Sequence, residues 1–552
     1  MAILEMNRIS IFGLHSDRKA ILEELHKKEI VEIHRPSSEG LRFLENAKSI
    51  ARFDKYLSSA ETAISILDEY IPEKSPLIAS RRMLPVEEYH MESNDNAAIL
   101  RIIDHIVDIC NKIQDYKERI NRITAEKTES ETAKAKLEQG IEKCISEIKE
   151  NNRHRRDIEL FYDHVSLRRD KYDILSKIGI MEYTFVIEGY TPKKYVNGIK
   201  ELLESKYAAY VEFSEPEERE DVPVAFSNSL FSSPVEGITE TYSMPSATDI
   251  DPNPVMAFFY YLFFGMMFSD AGYGLLMMIG CGILGFGKRL EKPKRRNYKM
   301  FFFCGVSTVF WGLIYGGFFG NIVYTVSTSF FGKEITLAPI WLDPISQAMD
   351  LLIFSIAAGL CQILVGMGIK FYMLCRQRRV IDAICDVGFW MIILLSIGSL
   401  AAGIALPTPL MTSVGTWGAV LGAAGLLITG GRKSKNVFGK IFGGIAGIYN
   451  ITRYVSDALS YCRLMALALA TTAIANVVNM LAAMCGNSVL GTVLFIIIII
   501  FGHSLNFAMN MLGAYVHTNR LQYVEFFSKF YKGGGRRFEP FRMNTKYCYF
   551  SD

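Results

Sequence analysis

The sequence predicts a mixed fold: cytosolic α/β lobes linked by a long antiparallel helical arm, followed by an all-α membrane domain of eight spans. Three observations carry this. Residues 1–254 are rich in Lys, Glu, Asp and Arg, whereas 255–552 is a succession of apolar stretches separated by short basic patches. In the first half, segments of alternating character flank a long region where Ile and Leu recur every three or four positions. In the second, each apolar stretch reaches or approaches the roughly 20 residues that cross a bilayer core.

A chain of 552 residues exceeds one ordinary core, and half of its residues are hydrophobic. The formal net charge of +2, with no basic stripe set apart from the membrane flanks, gives no reason to invoke nucleic acid. Ten cysteines are scattered from Cys110 to Cys548 without a C-x-x-C pair, which argues against zinc and for reduced thiols. The opening MAILEMNRISIFG lacks a charged segment followed by an apolar one. No cleaved signal is therefore expected, and the first half should stay in the cytosol.

Residues 1–36 read as strand, helix, strand, with Ile9, Ile11, Val31 and Ile33 alternating and Ile21, Leu22 and Leu25 at helical spacing. A second such unit fills 179–216: Tyr183, Phe185 and Ile187 alternate, Thr191-Pro192 opens a helix, and Tyr210, Val211 and Phe213 return as a strand. Two separate lobes are expected. Between them, about 40–178, Ile99, Ile102, Ile103, Ile106, Ile109, Ile113, Ile120 and Ile123, then Leu137, Ile141, Ile145, Ile148, Ile158 and Phe161, mark an antiparallel helical arm. Such an arm serves as a strut or docking surface. Residues 217–254, rich in Pro, Ser, Glu and Asp, read as a linker.

Apolar stretches follow near 255–286, 300–324, 347–374, 381–406, 411–429, 453–485 and 488–518. The loops 288–299, 376–379 and 432–440 are basic and by the positive-inside rule should all be cytosolic. A single span over 255–286 would place the most basic loop outside. It is read instead as a short hairpin turning near 269-SDAGYG-274, with Asp270 at the turn. Eight spans and two cytosolic ends result, and the glycine-rich 436–452 is expected to lie at the interface.

Polar residues concentrate in the last two spans. Arg463 stands in the apolar run 456-SDALSYCRLMALALATTAIA-475, about 15 Å into a helix started near Arg453 and so near the midplane. A cation there costs roughly 2.5–3.5 kcal/mol on insertion scales, which marks it as functional. Ser456 and Ser460 on its face leave room for another helix. In the next span, His503, Asn506, Asn510, Gly513, His517 and Arg520 follow at spacings of 3, 4, 3, 4 and 3, a polar stripe expected to line a water-filled cavity. Plainer readings stand beside these: Arg520 snorkels, the histidines are interhelical hydrogen-bonders, and Asp270 caps the hairpin. Gln362, Asn321 and Asp386 form no pattern. The stretch 425-GLLITGGRKS-434 approaches a phosphate loop but has Gly431 where the lysine belongs, and no constellation for covalent catalysis appears.

The run 459-LSYCRLMALALA-470 resembles the arginine-bearing span of subunit a of rotary V-type ATPases, called subunit I in the bacterial and archaeal V/A-type enzymes. The tail 514-AYVHTNRLQYVEFFSKFYKGGGRRFEPF-541, the segment 261-YLFFGMMFSDAGYG-274 and 185-FVIEGYTP-192 resemble the same family. The resemblance implies a stator whose Arg463 faces a ring of proteolipid subunits and pairs with each passing carboxylate between two offset half-channels. Arg520 matches the family's second arginine. The implied partners are the proteolipid ring, peripheral stalk subunits of E and G type, a central stalk docking subunit and the lipid bilayer. The implied cargo is H+ or Na+, with no cofactor of this chain's own. Thr471 and Asn510 stand where many eukaryotic relatives carry a histidine and a glutamate. The competing readings are a stand-alone secondary ion transporter with a cytosolic regulatory domain, against which the lack of an internal repeat argues, and a scaffold, which leaves Arg463 unexplained.

Overall fold

The computed structural model describes residues 3–36, 41–71, 84–86, 93–125, 131–216, 221–246, 249–287, 292–405, 409–429, 451–486 and 488–550. The basic loop 432–440 and residues 436–450 of the expected interfacial segment lie outside these. The chain divides into two units. One combines Leu4–Ala225 with Gly287–Lys292 and the tail Arg537–Asp552; the other comprises Met1–Ile3, Phe226–Phe286 and Pro293–Arg536.

In the first unit, β1 (Met6–Leu14), α1 (Arg18–Lys28) and β2 (Glu32–His34) form the expected strand, helix, strand. The arm follows as α2 (Ala47–Tyr70), a short β3 (Leu84–Val86), α3 (Ser93–Ala125), α4 (Glu131–Asn151) and α5 (Arg155–Lys177). After β4 (Gly179–Ile180) come β5 (Thr184–Pro192), α6 (Val196–Lys206) and β6 (Ala209–Ser214). The two expected lobes are one. Strand β5 pairs antiparallel with β1 over the whole of both, from Met6 opposite Pro192 to Leu14 opposite Thr184. The sheet order β2-β5-β1-β6 is that of a split βαβ sandwich, with the arm inserted between its halves. The physical reason is burial: Ile9, Ile11, Phe185, Ile187 and Val211 share one face and are closed off by Ile21 and Leu25 of α1 and Ile199 and Leu203 of α6. Each half alone would leave its strands open along an edge.

The arm's apolar stripe is buried as its spacing requires: Ile103, Ile106, Ile113, Ile148 and Ile158 are fully enclosed with Leu67 and Phe161. Buried Arg155 ties α5 to α2 through Asp68 and also contacts Glu159 at 3.3 Å. The tail is stitched to this arm. Asp163, fully buried in α5, accepts the backbone N–H groups of Lys546, Tyr547 and Cys548 at 2.7, 2.8 and 2.8 Å. Further along, Phe541 stacks on His26 of α1 with ring centres 4.3 Å apart.

The second unit is helical. The expected linker carries α7 (Glu236–Tyr242), and the expected hairpin is α8 (Asn253–Phe268) and α9 (Ala271–Phe286), joined by Ser269 in the left-handed conformation. Then come α10 (Lys292–Tyr315), α11 (Ile322–Phe331), α12 (Ala348–Arg376) and α13 (Val380–Ala383), continued by a π-helical turn Ile384–Gly388. The last described helices are α14 (Phe389–Ala405), α15 (Pro409–Thr429), α16 (Ile451–Leu459), α17 (Cys462–Ala483), α18 (Val489–Arg520), a π-helical turn Leu521–Phe526 and α19 (Phe527–Phe530). Among the described residues, six helical segments are long and apolar enough to cross a membrane, and α8, α9 and α11 are shorter apolar helices.

Two spans expected to be continuous are broken. The 300–324 stretch stops at Tyr315 because Gly316 and Gly320 take φ of 73° and 63°. The loop so formed is held by Asp270, whose carboxylate accepts N–H bonds from Phe319 at 2.9 Å and Gly320 at 2.7 Å as well as from Tyr273 at 3.1 Å. Asp270 therefore does more than cap the hairpin. The 453–485 stretch breaks at Ser460–Tyr461, where bonds to the third residue back replace helical ones: Tyr461 N to Ala458 O at 3.2 Å and Leu464 N to Tyr461 O at 3.0 Å. The fully buried Tyr461 fixes the break. Its ring lies so close to Gly359 that a Cβ there would sit 2.1 Å away, and its hydroxyl donates to Gln362 at 2.7 Å.

Candidate functional site

Arg463 is thus the second residue of α17, beside a break, and not ten residues inside an unbroken helix. Its side chain keeps 24% of its exposure, and the carboxylate facing it is Glu525, 99% enclosed, with Oε1 3.7 Å from Nη1. That distance makes an ion pair but not a hydrogen bond. Consistently, Nη1 of Arg463 and Oε2 of Glu525 are buried without hydrogen-bond partners among the described residues. An arginine fork can take both oxygens of a carboxylate at once, and here it takes neither closely. The guanidinium is placed and charge-compensated, yet among the described residues its Nη1 has no hydrogen-bond acceptor and can take a better-fitting one.

Glu525 is the residue that the spacing argument missed. Counting on from Arg520 at about 100° per residue puts it about 140° off the polar stripe. The π-helical turn Leu521–Phe526 widens the helix there and brings Glu525 inward. The same turn carries buried Gln522, which accepts from Gln362 at 2.7 Å. Gln362, without pattern in the sequence, is the bridge from the Tyr461 break to this turn.

The structure divides the polar stripe of α18. At one end, His503 and Asn506 are enclosed and bonded to other helices. Tyr273 of the hairpin lies 2.6 Å from His503 Nδ1, Asn506 donates to the Tyr273 hydroxyl at 3.0 Å, and His503 Nε2 lies 2.9 Å from Oδ1 of Asn479. Asn479 in turn donates to the Phe319 carbonyl at 2.8 Å and to Asn321 at 3.0 Å. A neutral His503 protonated on Nε2 satisfies the series, with Tyr273 donating to Nδ1. These two residues are interhelical hydrogen-bonders, and they link α18 to the loop that Asp270 holds. Buried Asn510 bonds back to its own helix, to Asn506 O at 3.0 Å. Thr471 does likewise, to Leu467 O at 2.9 Å.

The other end of the stripe is less satisfied. His517 has a buried Nδ1 without a hydrogen-bond partner among the described residues, and Arg463 and Arg520 both lie close enough to act on it electrostatically. Arg520 is exposed. Ser460, half-buried at the break, donates to Ser456 O at 3.1 Å, and Ser456, in α16 before the break, is exposed. The structure therefore gathers Arg463, His517, Arg520 and Glu525 into one partly open cluster of three basic groups and one carboxylate.

A family model described as the V-type ATPase 116kDa subunit family matches residues 97–339 and 437–543, more than half of the chain. The chain belongs to that family. Its second matched segment contains the whole cluster, from Arg463 to Glu525. Among curated relatives, A-type ATP synthase subunit I of Methanocaldococcus jannaschii is 34% identical over 415 residues, 70% of this chain and 59% of the relative. The Thermococcus kodakarensis subunit I is 33% identical over 71% of this chain and 59% of its own length. V-type ATP synthase subunit I of Chlamydia trachomatis is 27% identical over 62% of this chain and 59% of its own. The matches to these three span about six tenths of each relative's length. As a member of the 116 kDa subunit family, the chain joins apolar membrane-length helices to a charged unit built on a sheet and a helical arm.

Proposed function

We propose that this chain is the membrane stator subunit of a rotary V/A-type ATPase or ATP synthase, coupling H+ or Na+ translocation past a proteolipid ring to ATP hydrolysis or synthesis. The observation that carries the reading is the loose ion pair of Arg463 with Glu525 on a partly open face beside His517 and Arg520. A ring carboxylate arriving at that face exchanges for Glu525 and takes the fork in full. The cation favours its ionised form, so the ion is released to one half-channel and cannot slip directly to the other. Glu525 receives the guanidinium again as the ring moves on, so the buried charge is never left alone. His517 and Arg520 line the path to this point. The hydrogen-bonded series from Asn506 to Asn479 keeps α18 fixed against the hairpin while the ring slides.

The sheet unit and its arm serve as the stator body, taking torque from the peripheral stalks and docking near the central stalk. In the membrane, the six long segments together with α8 and α9 make eight spans with both ends cytosolic. A cysteine replacing Lys294 should then react with a membrane-impermeant maleimide only from the cytosolic side.

Isolation through an affinity tag on this chain tests the assignment. Co-purification of ATP-hydrolysing subunits and a small proteolipid bearing a membrane carboxylate is expected. A chain that purifies alone and, reconstituted alone, drives ion exchange would make it a secondary transporter instead.

A further inference from the structure

Away from the arginine cluster, five helical elements enclose a cavity of about 250 Å³. Lys370 of α12, Asp386 of the first π-helical turn, Trp390 of α14, Arg453 and Tyr454 of α16 and Lys529 of α19 line it. Its cations outnumber its carboxylates. Lys529, 95% enclosed, is held by Asp457 and lies 4.5 Å from the Tyr454 ring centre. Asp386 is already engaged within the chain. Lys370 and Arg453 are exposed at the rim and have neither a hydrogen bond nor an ion pair among the described residues. Trp390 and Tyr454 pack with ring centres 4.6 Å apart.

We propose that this cavity binds the phosphate of an anionic membrane phospholipid. Three features select a lipid over a free phosphate. The cavity lies at the end of α12 that leads into the basic residues Arg376, Arg378 and Arg379, and such ends face the leaflet that carries anionic lipid. The Trp390 and Tyr454 pair is of the kind that settles at headgroup level. Seven residues on from Trp390, on the same side of α14 and further from the basic loop, Ile397 is 37% exposed, an apolar surface for acyl chains that a soluble anion would not use. Lys370 and Arg453 supply the two unclaimed cations, and Lys529, pinned by Asp457 and Tyr454, presents a third at fixed position. A lipid held there joins α12, α14, α16 and α19 at one membrane surface.

The test is native mass spectrometry of the delipidated full-length chain titrated with phosphatidylglycerol, phosphatidylcholine of the same acyl chains, and inorganic phosphate. Phosphatidylglycerol should bind more tightly than phosphatidylcholine, and the double variant Lys370→Gln/Arg453→Gln should weaken phosphatidylglycerol about 30-fold, as expected for two cations at an anionic surface. Lys370→Arg should retain the affinity. The double variant's circular dichroism and phosphatidylcholine binding, both expected unchanged, separate loss of the site from loss of fold. Equal affinity for the two lipids, or a folded double variant that binds phosphatidylglycerol like the parent chain, overturns the proposal. So does displacement of phosphatidylglycerol by inorganic phosphate at equal concentration, which assigns the cavity to a soluble anion.

Discussion

Removing the Asp270 carboxylate should open the loop between α10 and α11 selectively. Asp270 is 2% exposed and accepts three backbone N–H groups, two on Oδ1 from Tyr273 and Phe319 and one on Oδ2 from Gly320. Asp270→Ala leaves all three without an acceptor, and each buried orphan costs about 1–3 kcal/mol, so the loop loses about 3–9 kcal/mol of local stability. Asp270→Asn keeps one acceptor oxygen and should lose about 1–3 kcal/mol. The effect should travel, because the Phe319 carbonyl is an acceptor for Asn479, and Asn479 holds His503. Hydrogen exchange of the full-length chain in detergent, read on peptides covering 316–321, measures this. At about 1.4 kcal/mol per decade, Asp270→Ala should speed exchange at Phe319 and Gly320 by at least about 100-fold, with Asp270→Asn intermediate. Parent-like protection at both amides in Asp270→Ala would refute the assignment of Asp270 as the loop's anchor.

Two further predictions concern the sheet unit. Asp163→Ala should release the tail, since three N–H groups lose a buried acceptor. Faster exchange and earlier protease cleavage at 545–550 are expected, while exchange in β1 and β5 stays as in the parent. Burial pushes the His26 imidazole down to about 4, with the charge of Lys171 adding to the effect. The folded chain therefore holds this proton more weakly than the unfolded chain, whose value is near 6.5. Its neutral form leaves stability intact above pH 6.5; stability falls as pH drops through that window and levels off below about 4. The loss is at most about 3 kcal/mol, and His26→Leu should remove it, so that the melting temperature of the sheet unit falls less between pH 7 and 4.5 in the variant. Equal falls in the two proteins would count against it.

Periodicity made the arm and the strands legible: of the residues at helical spacing from Ile99 to Ile113 all but the half-buried Ile102 are enclosed, and Ile9 and Ile11 are the inward positions of β1. It carries no information about partners. Nothing in the alternation of Phe185 and Ile187 says that their strand lies beside β1 and not in a lobe of its own, because that pairing is decided by burial across the arm. The turn at Ser269 and Asp270 was legible from its glycines and charge. The breaks at Gly316–Asn321 and Ser460–Tyr461 were not, since hydropathy continues through both and the causes are a distant carboxylate and a tyrosine lodged against Gly359. Arg463 announced itself by the cost of its charge. Glu525 stayed hidden because α-helical counting fails across a π-helical turn.

On the proposed mechanism, Arg463 exchanges its loose partner Glu525 for carboxylates on a moving ring. ATP-driven ion uptake by reconstituted complexes carrying Arg463→Ala, with subunit content verified, tests it most directly. Uptake should be abolished while the complex still assembles. Arg463→Lys should fail as well, because an ammonium supplies charge without the planar fork. Parent-level uptake by a fully assembled Arg463→Ala complex would contradict the account.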